Sequence, residues 1–342
     1  MPLPSDAVLP HSSLVLVTGA NGFVACQIVN QLLDCGLRVR GTVRDLQKSA
    51  WMQEHFDNAY GPGKFELVKV DNMVEEGSLD EAVKGCAGVL HVASNLSFHP
   101  DPNIVVTEAI ALVKSVLESA TKEPSVKRFV YTSSSSAACQ MKWNEAFDLT
   151  SESWNTTSIA EAWKPPPYEQ DRALHVYNAS KAQAEQFFWR YVEDHKPHFV
   201  GNAVLPDFVC GAPVSLEKQG YGPTGGILYC LWTKNDMWKM LPTQYMIDAK
   251  DCALLHIGAL THPDYQNERI FGYAHPKRWT DWIARLKKMY PTHEFPDSPE
   301  NEDYDMSKVL GQHRAEALLK WLGQPGWRPM DESIKEVFDL MV

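Results

Sequence analysis

Positive charge is scarce in this chain. Thirty-two Lys and Arg stand against 43 Asp and Glu in 342 residues, a formal net charge of −11. Nucleic acids and anionic membranes both require clustered positive charge, so neither is an expected partner. No apolar run approaches the roughly 18 residues of a membrane-spanning helix. The seven cysteines (Cys26, Cys35, Cys86, Cys139, Cys210, Cys230 and Cys252) include no C-x-x-C pair. Their odd, scattered set predicts free buried thiols in a reducing compartment rather than a disulfide framework. The 12 histidines lie at no ligand spacing, so no metal is indicated. The opening MPLPSDAVLPHSS lacks the basic-then-apolar pattern of a secretory signal. Internal repeats and low-complexity tracts are missing as well. These absences point to a cytoplasmic protein.

What is present is a regular alternation. Hydrophobic content of 44% and charged content of 22% fit a soluble globular chain. SLVLVTGA (13–20), LRVRGTVR (37–44), FELVKVD (65–71), GVLHVAS (88–94), KRFVYTSS (127–134) and GNAVLPDFV (201–209) read as buried strands. Between them lie amphipathic segments. The first has apolar residues at 24, 25, 28, 29, 32 and 33 and ends at Gly36, where a helix C-terminal glycine belongs. A long helix is predicted around 104–122. Strand–helix alternation of this kind predicts an α/β fold with a doubly wound parallel sheet. Residues 212–245 are rich in Gly, Pro, Tyr and Trp without a steady period. Helices are expected again at 248–260, 279–289, 307–322 and 331–340. The predicted division is a dinucleotide domain over 8–205, to which 246–270 returns, and a smaller lobe from 206–245 and 271–342.

Gly19-x-x-Gly22-x-x-Ala25 lies between the first strand and the first helix. Small residues there let the backbone approach a pyrophosphate, which then sits at the positive end of the helix dipole. Alone, the pattern would equally suit a structural turn; its strand-to-helix placement favours a dinucleotide. Arg44 ends the second strand, where a basic residue suits a ribose 2′-phosphate, and Lys48 is four residues on. NADP(H) is therefore the expected cofactor, although Asp45 is an acidic residue of the kind that selects NAD. Asp71, Asn72 and Met73 follow the third strand, placed for the adenine or merely polar loop residues.

Tyr177 and Lys181 are four apart, so a helix projects both from one face. A free tyrosine, with a pKa of about 10, is a weak acid–base catalyst at neutral pH. A nearby ammonium favours the phenolate and is expected to bring that value down. The serine run of YTSSSSAA (131–138) ends the central strand, and a hydroxyl there can hold a carbonyl oxygen for protonation. Together these groups suit hydride transfer from a nicotinamide to a carbonyl, with Tyr177 giving the proton.

The T-G-x-x-G-x-x-A loop, the serine after RFVYT and YNASK resemble the extended short-chain dehydrogenases/reductases. VRGTVR, SVKRFVYTSS, KPHFVGNAVLP and LGQPGWRPMDESIKE are further similar to the yeast and fungal NADPH-dependent aldehyde/ketone (carbonyl) reductases, relatives of methylglyoxal and dihydroflavonol reductases. The resemblance runs from about residue 8 to the end. It implies a Rossmann-type fold with Ser134, Tyr177 and Lys181 as catalytic residues, Ser133 being the alternative serine. It also implies cofactor contacts at Gly19, Asn21, Gly22, Phe23, Val24, Arg44, Lys48, Val92, Ala93, Ser94, Thr132, Ser133, Tyr177, Lys181, Pro206 and Val209. Two departures stand out. Asn72, preceded by Asp71, replaces a common adenine-binding aspartate, and Asp207 replaces an asparagine after Pro206.

The segment SNLSFHP (94–100) should overhang the nicotinamide. Phe98, with Asp207, Phe208, Ile227, Leu228, Trp232, Leu241 and Gln244, is expected to shape an apolar pocket beside Ser134 and Tyr177. Any single one of these suits an ordinary core or surface position equally well. KPPPY (164–168) reads as an exposed loop before the Tyr177 helix. The expected partner is thus a small carbonyl compound, apolar or aromatic, acting on a monomer or homodimer. Two rival readings are a nucleotide-sugar epimerase or dehydratase of the same fold, and a non-enzymatic NADP-sensing regulator. The scarcity of cations in 212–245 weighs against the first, and the intact Tyr/Lys pair against the second.

Overall fold

The computed structural model of the chain describes residues 2–342. Seven strands form one sheet: β1 (Leu14–Val17), β2 (Arg38–Val43), β3 (Phe65–Lys69), β4 (Gly88–His91), β5 (Arg128–Thr132), β6 (Val200–Pro206) and β7 (Arg269–Gly272). Every pairing is parallel, and the spatial order is β3-β2-β1-β4-β5-β6-β7. The order reverses between β1 and β4, which opens a crevice at their carboxyl ends. Strand side chains alternate between two cores: Val15 and Val17 face one, Leu16 the other. Helices cover both faces, which is why the central strands are apolar throughout.

On one face lie α1 (Phe23–Asp34) and, later in the chain, Ala249–Thr261, which pack together. α1 ends as its sequence predicts. Gly36 adopts φ +80°, Leu37 N–H bonds Leu32 O, and Gly36 N–H bonds Leu33 O. The other face carries the long helices Pro102–Lys122 and Ala173–His195, packed side by side. The first starts on Asp101, whose carboxylate caps Asn103 N–H, with Pro102 in the first turn. The second contains Tyr177 in its second turn, after an exposed 163–167 stretch.

A second, three-stranded sheet joins Phe208–Cys210, Gln244–Asp248 and His275–Lys277. With Gly222–Trp232, Trp279–Met289 and Met330–Phe338 it encloses a separate core containing Leu228, Trp238 and Trp282.

Several boundaries differ from expectation. The single strand expected over 201–209 is two, because the chain passes from the main sheet to the small one after Pro206. Residues 307–309 are a strand paired with Phe147–Leu149, and the helix begins only at Gln312. Residues 222–232 are helical although Gly- and Pro-rich: Pro223 sits in the first turn, where its missing N–H costs nothing. Leu46–Tyr60 is a helix that the apolar pattern does not announce, since only Ser49, Met52 and Phe56 are buried along it. No helix among the described residues is long and apolar enough to cross a membrane. The seven cysteines are all free, five of them buried.

Candidate active site

The glycine loop closes β1 onto α1 at the crevice. Gly19 has φ +64°, and a Cβ there would lie 3.1 Å from Ala93 Cβ. Thr18 stitches this loop to the end of β4. Its hydroxyl oxygen accepts from Val92 N–H and Ala93 N–H at 3.0 and 3.1 Å, so its proton goes to His91 Nδ1 at 2.9 Å. Burial pushes His91 down to about 3, which keeps that ring neutral. Gly22 is the extended N-cap residue of α1, and no side chain caps the helix. A Cβ on Gly22 would stand 3.3 Å from Gly19 O. The helix therefore begins with free N–H groups and no acidic first turn, behind a surface that a side chain at Gly22 would crowd. Asn21, Phe23 and Val24 belong to this turn; just past β4, Val92 and Ala93 are bonded to Thr18 and Ala93 lies against Gly19, with Ser94 next in the chain. This cradle fits a dinucleotide pyrophosphate.

Arg44 is exposed at the end of β2. Its neighbour Asp45 is committed elsewhere: its carboxylate accepts Lys48 N–H at 3.0 Å as the cap of Leu46–Tyr60. Lys48 is also exposed, its ammonium 3.9 Å from Asp45. Asp71 pairs with Lys69 at 2.6 Å, whereas Asn72 donates to Glu75 and folds its own loop. Met73 is half-buried, with its sulfur against Thr42.

At the end of β5 the four serines are sorted. Ser133 is buried and donates to Glu185 Oε2 at 2.6 Å. Ser134 instead caps the short helix Ser135–Ala138, and its hydroxyl pulls the Tyr177 phenol's pKa down. The net shift of Tyr177 is nevertheless upward, because burial outweighs Ser134. This reverses the expected direction. The Lys181 ammonium lies behind, donating to Thr132 O at 3.2 Å and standing 5.8 Å from the Tyr131 ring centre. Burial brings Lys181 down to about 8, with Glu185 opposing the fall. The Thr132 hydroxyl is turned to His256 Nε2 at 2.9 Å. Because His256 Nδ1 lies 2.7 Å from Cys252 O, its proton is on Nδ1 and Nε2 accepts.

Phe98 is brought to this group. It adopts φ +50°, its ring centre is 5.0 Å from that of Tyr177, and it is 42% exposed. Pro206 ends β6, and Asp207 follows it and is tied to the turn after β5. The Asp207 carboxylate accepts from Ser135 Oγ and from Tyr245 N–H, both at 3.0 Å, and burial pushes it up to about 7.

The rest of the expected pocket is dispersed. Phe208 and Leu228 are buried in the lobe core, and Val209 in that of the main sheet. Ile227 packs at the edge of the lobe core. Trp232 stacks on His293 at 3.5 Å, which makes it a packing residue. Gln244 pairs with Lys277 in the small sheet. Leu241 lines a cavity of about 580 Å³ with Trp238, Trp279 and Glu302, and that cavity includes none of Ser134, Tyr177 or Lys181. Aromatic residues here are drawn into the core by their area, a pull that residue type alone does not separate from ligand contact.

Two residues escaped sequence reasoning. Glu185 is completely buried and holds Ser133, Trp189 Nε1 and Arg269. Its spacing of four from Lys181 continues the Tyr177–Lys181 stripe and was the available signal. Gln219 reaches the glycine loop from the irregular segment and carries no such mark.

A family model, the 3-beta hydroxysteroid dehydrogenase/isomerase family, matches residues 16–191. Aldehyde reductase 2 of Sporidiobolus salmonicolor is 42% identical over 335 residues, covering 97% of each chain. The Aspergillus terreus protein named NAD-dependent epimerase/dehydratase terH is 36% identical over 338 residues, covering 98% of each. Among solved structures, Gre2 of Candida albicans in complex with NADPH matches with a TM-score of 0.80 at 21% identity. The match covers 96% of this chain and 98% of that one, a likeness of fold.

Proposed function

The chain belongs to the 3-beta hydroxysteroid dehydrogenase/isomerase family, within the extended short-chain dehydrogenases/reductases, and we propose that it reduces an aldehyde or ketone to the alcohol with NADPH. The observation that carries this reading is the pairing of the Ser134 and Tyr177 hydroxyls beneath Phe98, with Lys181 buried behind them. Ser134 holds the carbonyl oxygen, and Tyr177 donates its proton to that oxygen. A phenol whose pKa burial has raised stays protonated until the oxyanion develops, which suits a donor in the reducing direction. Lys181, on the same helical face one turn on, offsets the charge left on Tyr177. When bound at the glycine cradle, NADPH supplies the hydride to the carbonyl carbon.

Gly19, Asn21, Gly22, Phe23, Val24, Val92, Ala93 and Ser94 would hold the dinucleotide, and Arg44 with Lys48 the 2′-phosphate. The exposed Arg44 supports NADPH over NADH, and one oxygen of the neighbouring Asp45 carboxylate is already engaged as a helix cap. We read residues 8–205 with 246–270 as the cofactor domain, and 206–245 with 271–342 as the substrate lobe. The relative aldehyde reductase supports the carbonyl substrate, and the exposed Phe98 ring supports an apolar or aromatic one.

The Aspergillus terreus relative's name supports a second reading, an epimerase or dehydratase that retains NAD. One experiment separates the two. Purified protein is offered aldehydes, ketones and β-keto esters with NADPH or NADH, following cofactor absorbance. Turnover with NADPH is the expected result. No turnover, together with NAD released on denaturation, would reverse the assignment.

A further inference from the structure

Gln219 lies in the lobe segment that crosses onto the glycine loop, and both ends of its amide are used. Oε1 accepts Ser215 N–H at 3.1 Å, while Nε2 donates to Asn21 O at 3.2 Å and Gly22 O at 3.4 Å. The crossing is a formed contact. Gly220 and Gly222 adopt φ +64° and +70°, and a Cβ on Gly222 would lie 3.0 Å from the Phe23 ring. One turn along α1, Gln27 Nε2 donates to Ala212 O at 2.7 Å. The lobe therefore grips the start of α1 at three successive points.

Resting on the dinucleotide reading of this loop, we infer that Gln219 is a positioning residue that aims the pyrophosphate-binding amides from the opposite lobe. In a trans peptide the C=O and N–H point opposite ways. The Gly22 carbonyl accepts Cys26 N–H at 2.8 Å as the first bond of α1, and Gln219 adds a second donor from the other lobe, so the opposite Phe23 N–H, the first free amide of the helix, is held in direction from both sides. Gly22 N–H itself is already bonded to Gly19 O at 2.9 Å, so Phe23 is the amide left to aim. Gln219 thus acts through the backbone and contacts the pyrophosphate only indirectly.

Two variants test this in the full chain. Gln219→Glu keeps the shape and turns a carboxylate on the two carbonyls; Gln219→Leu removes the donor without adding charge. Binding is read by fluorescence titration with NADPH and with adenosine 2′-monophosphate, which carries the 2′-phosphate but no pyrophosphate. Both variants should weaken NADPH by about tenfold, the effect of losing one or two hydrogen bonds. Adenosine 2′-monophosphate should bind as it does to the unaltered protein. NADPH affinity within about twofold of the unaltered protein, or equal weakening of both probes, would overturn the positioning role. An unaltered protein that binds neither probe would instead remove the dinucleotide reading, and this inference with it.

Discussion

The Ser133 hydroxyl and the Glu185 carboxylate are joined by a hydrogen bond of 2.6 Å between two buried side chains. Glu185 is held in turn by Arg269, whose Nε lies 2.7 Å from Oε1, and the Arg269 guanidinium stacks 4.0 Å from the Trp154 ring centre. A desolvated carboxylate with an arginine, an indole N–H and a hydroxyl around it is satisfied and immobile. The Ser133 hydroxyl is thereby committed to Glu185, and our reading gives the catalytic role to Ser134.

Ser134→Ala and Ser133→Ala should therefore behave differently. Ser134→Ala should lower kcat with NADPH and an active carbonyl roughly a hundredfold, as for loss of an oxyanion donor. Ser133→Ala should leave kcat within about twofold, yet lower stability by about 1–2 kcal/mol through the lost bond to a charged group. Steady-state kinetics and thermal unfolding on both variants distinguish the two. The opposite ranking of kcat would move the catalytic role to Ser133.

Tyr177→Phe removes one hydroxyl and keeps the ring that packs on Phe98. Turnover should fall by roughly a hundredfold or more, the usual contribution of a positioned proton donor. NADPH affinity, measured by fluorescence titration, should change little. A phenylalanine variant that retains activity would remove Tyr177 from the mechanism.

Much of this was legible because period and position carry it. The run LVLV, the glycines of the first loop and the four-residue Tyr177–Lys181 spacing are local features, and each lies where the fold needs it. What stayed hidden depends on partners far along the chain. Ser307–Val309 becomes a strand only because Phe147–Leu149 offers it an edge. Phe208, Leu228 and Trp232 looked like pocket walls by residue type, but the lobe needs a core of its own and takes them. The phenol's shift is expected from the positive charges beside it, whereas burial, a tertiary property, decides its direction. Gln219 has no local pattern at all; only the crossing of two lobes gives it a partner.

The proposed preference for NADPH rests on the end of β2, where Arg44 is exposed and the Asp45 carboxylate accepts a helix N–H. Arg44→Asp should raise the KM for NADPH by about tenfold or more, the cost of one hydrogen-bonded charge pair. The KM for NADH should change much less, since no phosphate is lost. The ratio of kcat/KM for the two cofactors checks this, and an unchanged ratio would remove Arg44 from the selection.

Asp207 should make stability depend on pH. Its carboxyl is pushed up to about 7, first by burial and then by Asp305, against the pull of Ser135, Tyr245 N–H and Lys277. Lys277 is itself buried among Phe208, Trp279 and Trp282 and brought down to about 7, so it offers only partial compensation near neutrality. Between the ordinary carboxylate value of 3.8 and about 7, the folded state keeps a proton that the unfolded chain has lost. This contribution to stability is complete below that window and disappears as pH rises through it. An asparagine side chain at this position would mimic the protonated form: its carbonyl can accept Tyr245 N–H while its amide donates to Ser135, whose hydroxyl can reverse. Asp207→Asn should thus gain on the unaltered protein as pH rises, its advantage growing between pH 5 and pH 8 by roughly 2 kcal/mol. Thermal unfolding of both proteins at the two pH values reads this directly. The same difference at both would mean that the carboxylate stays ionised throughout, held by Lys277 more strongly than its burial opposes.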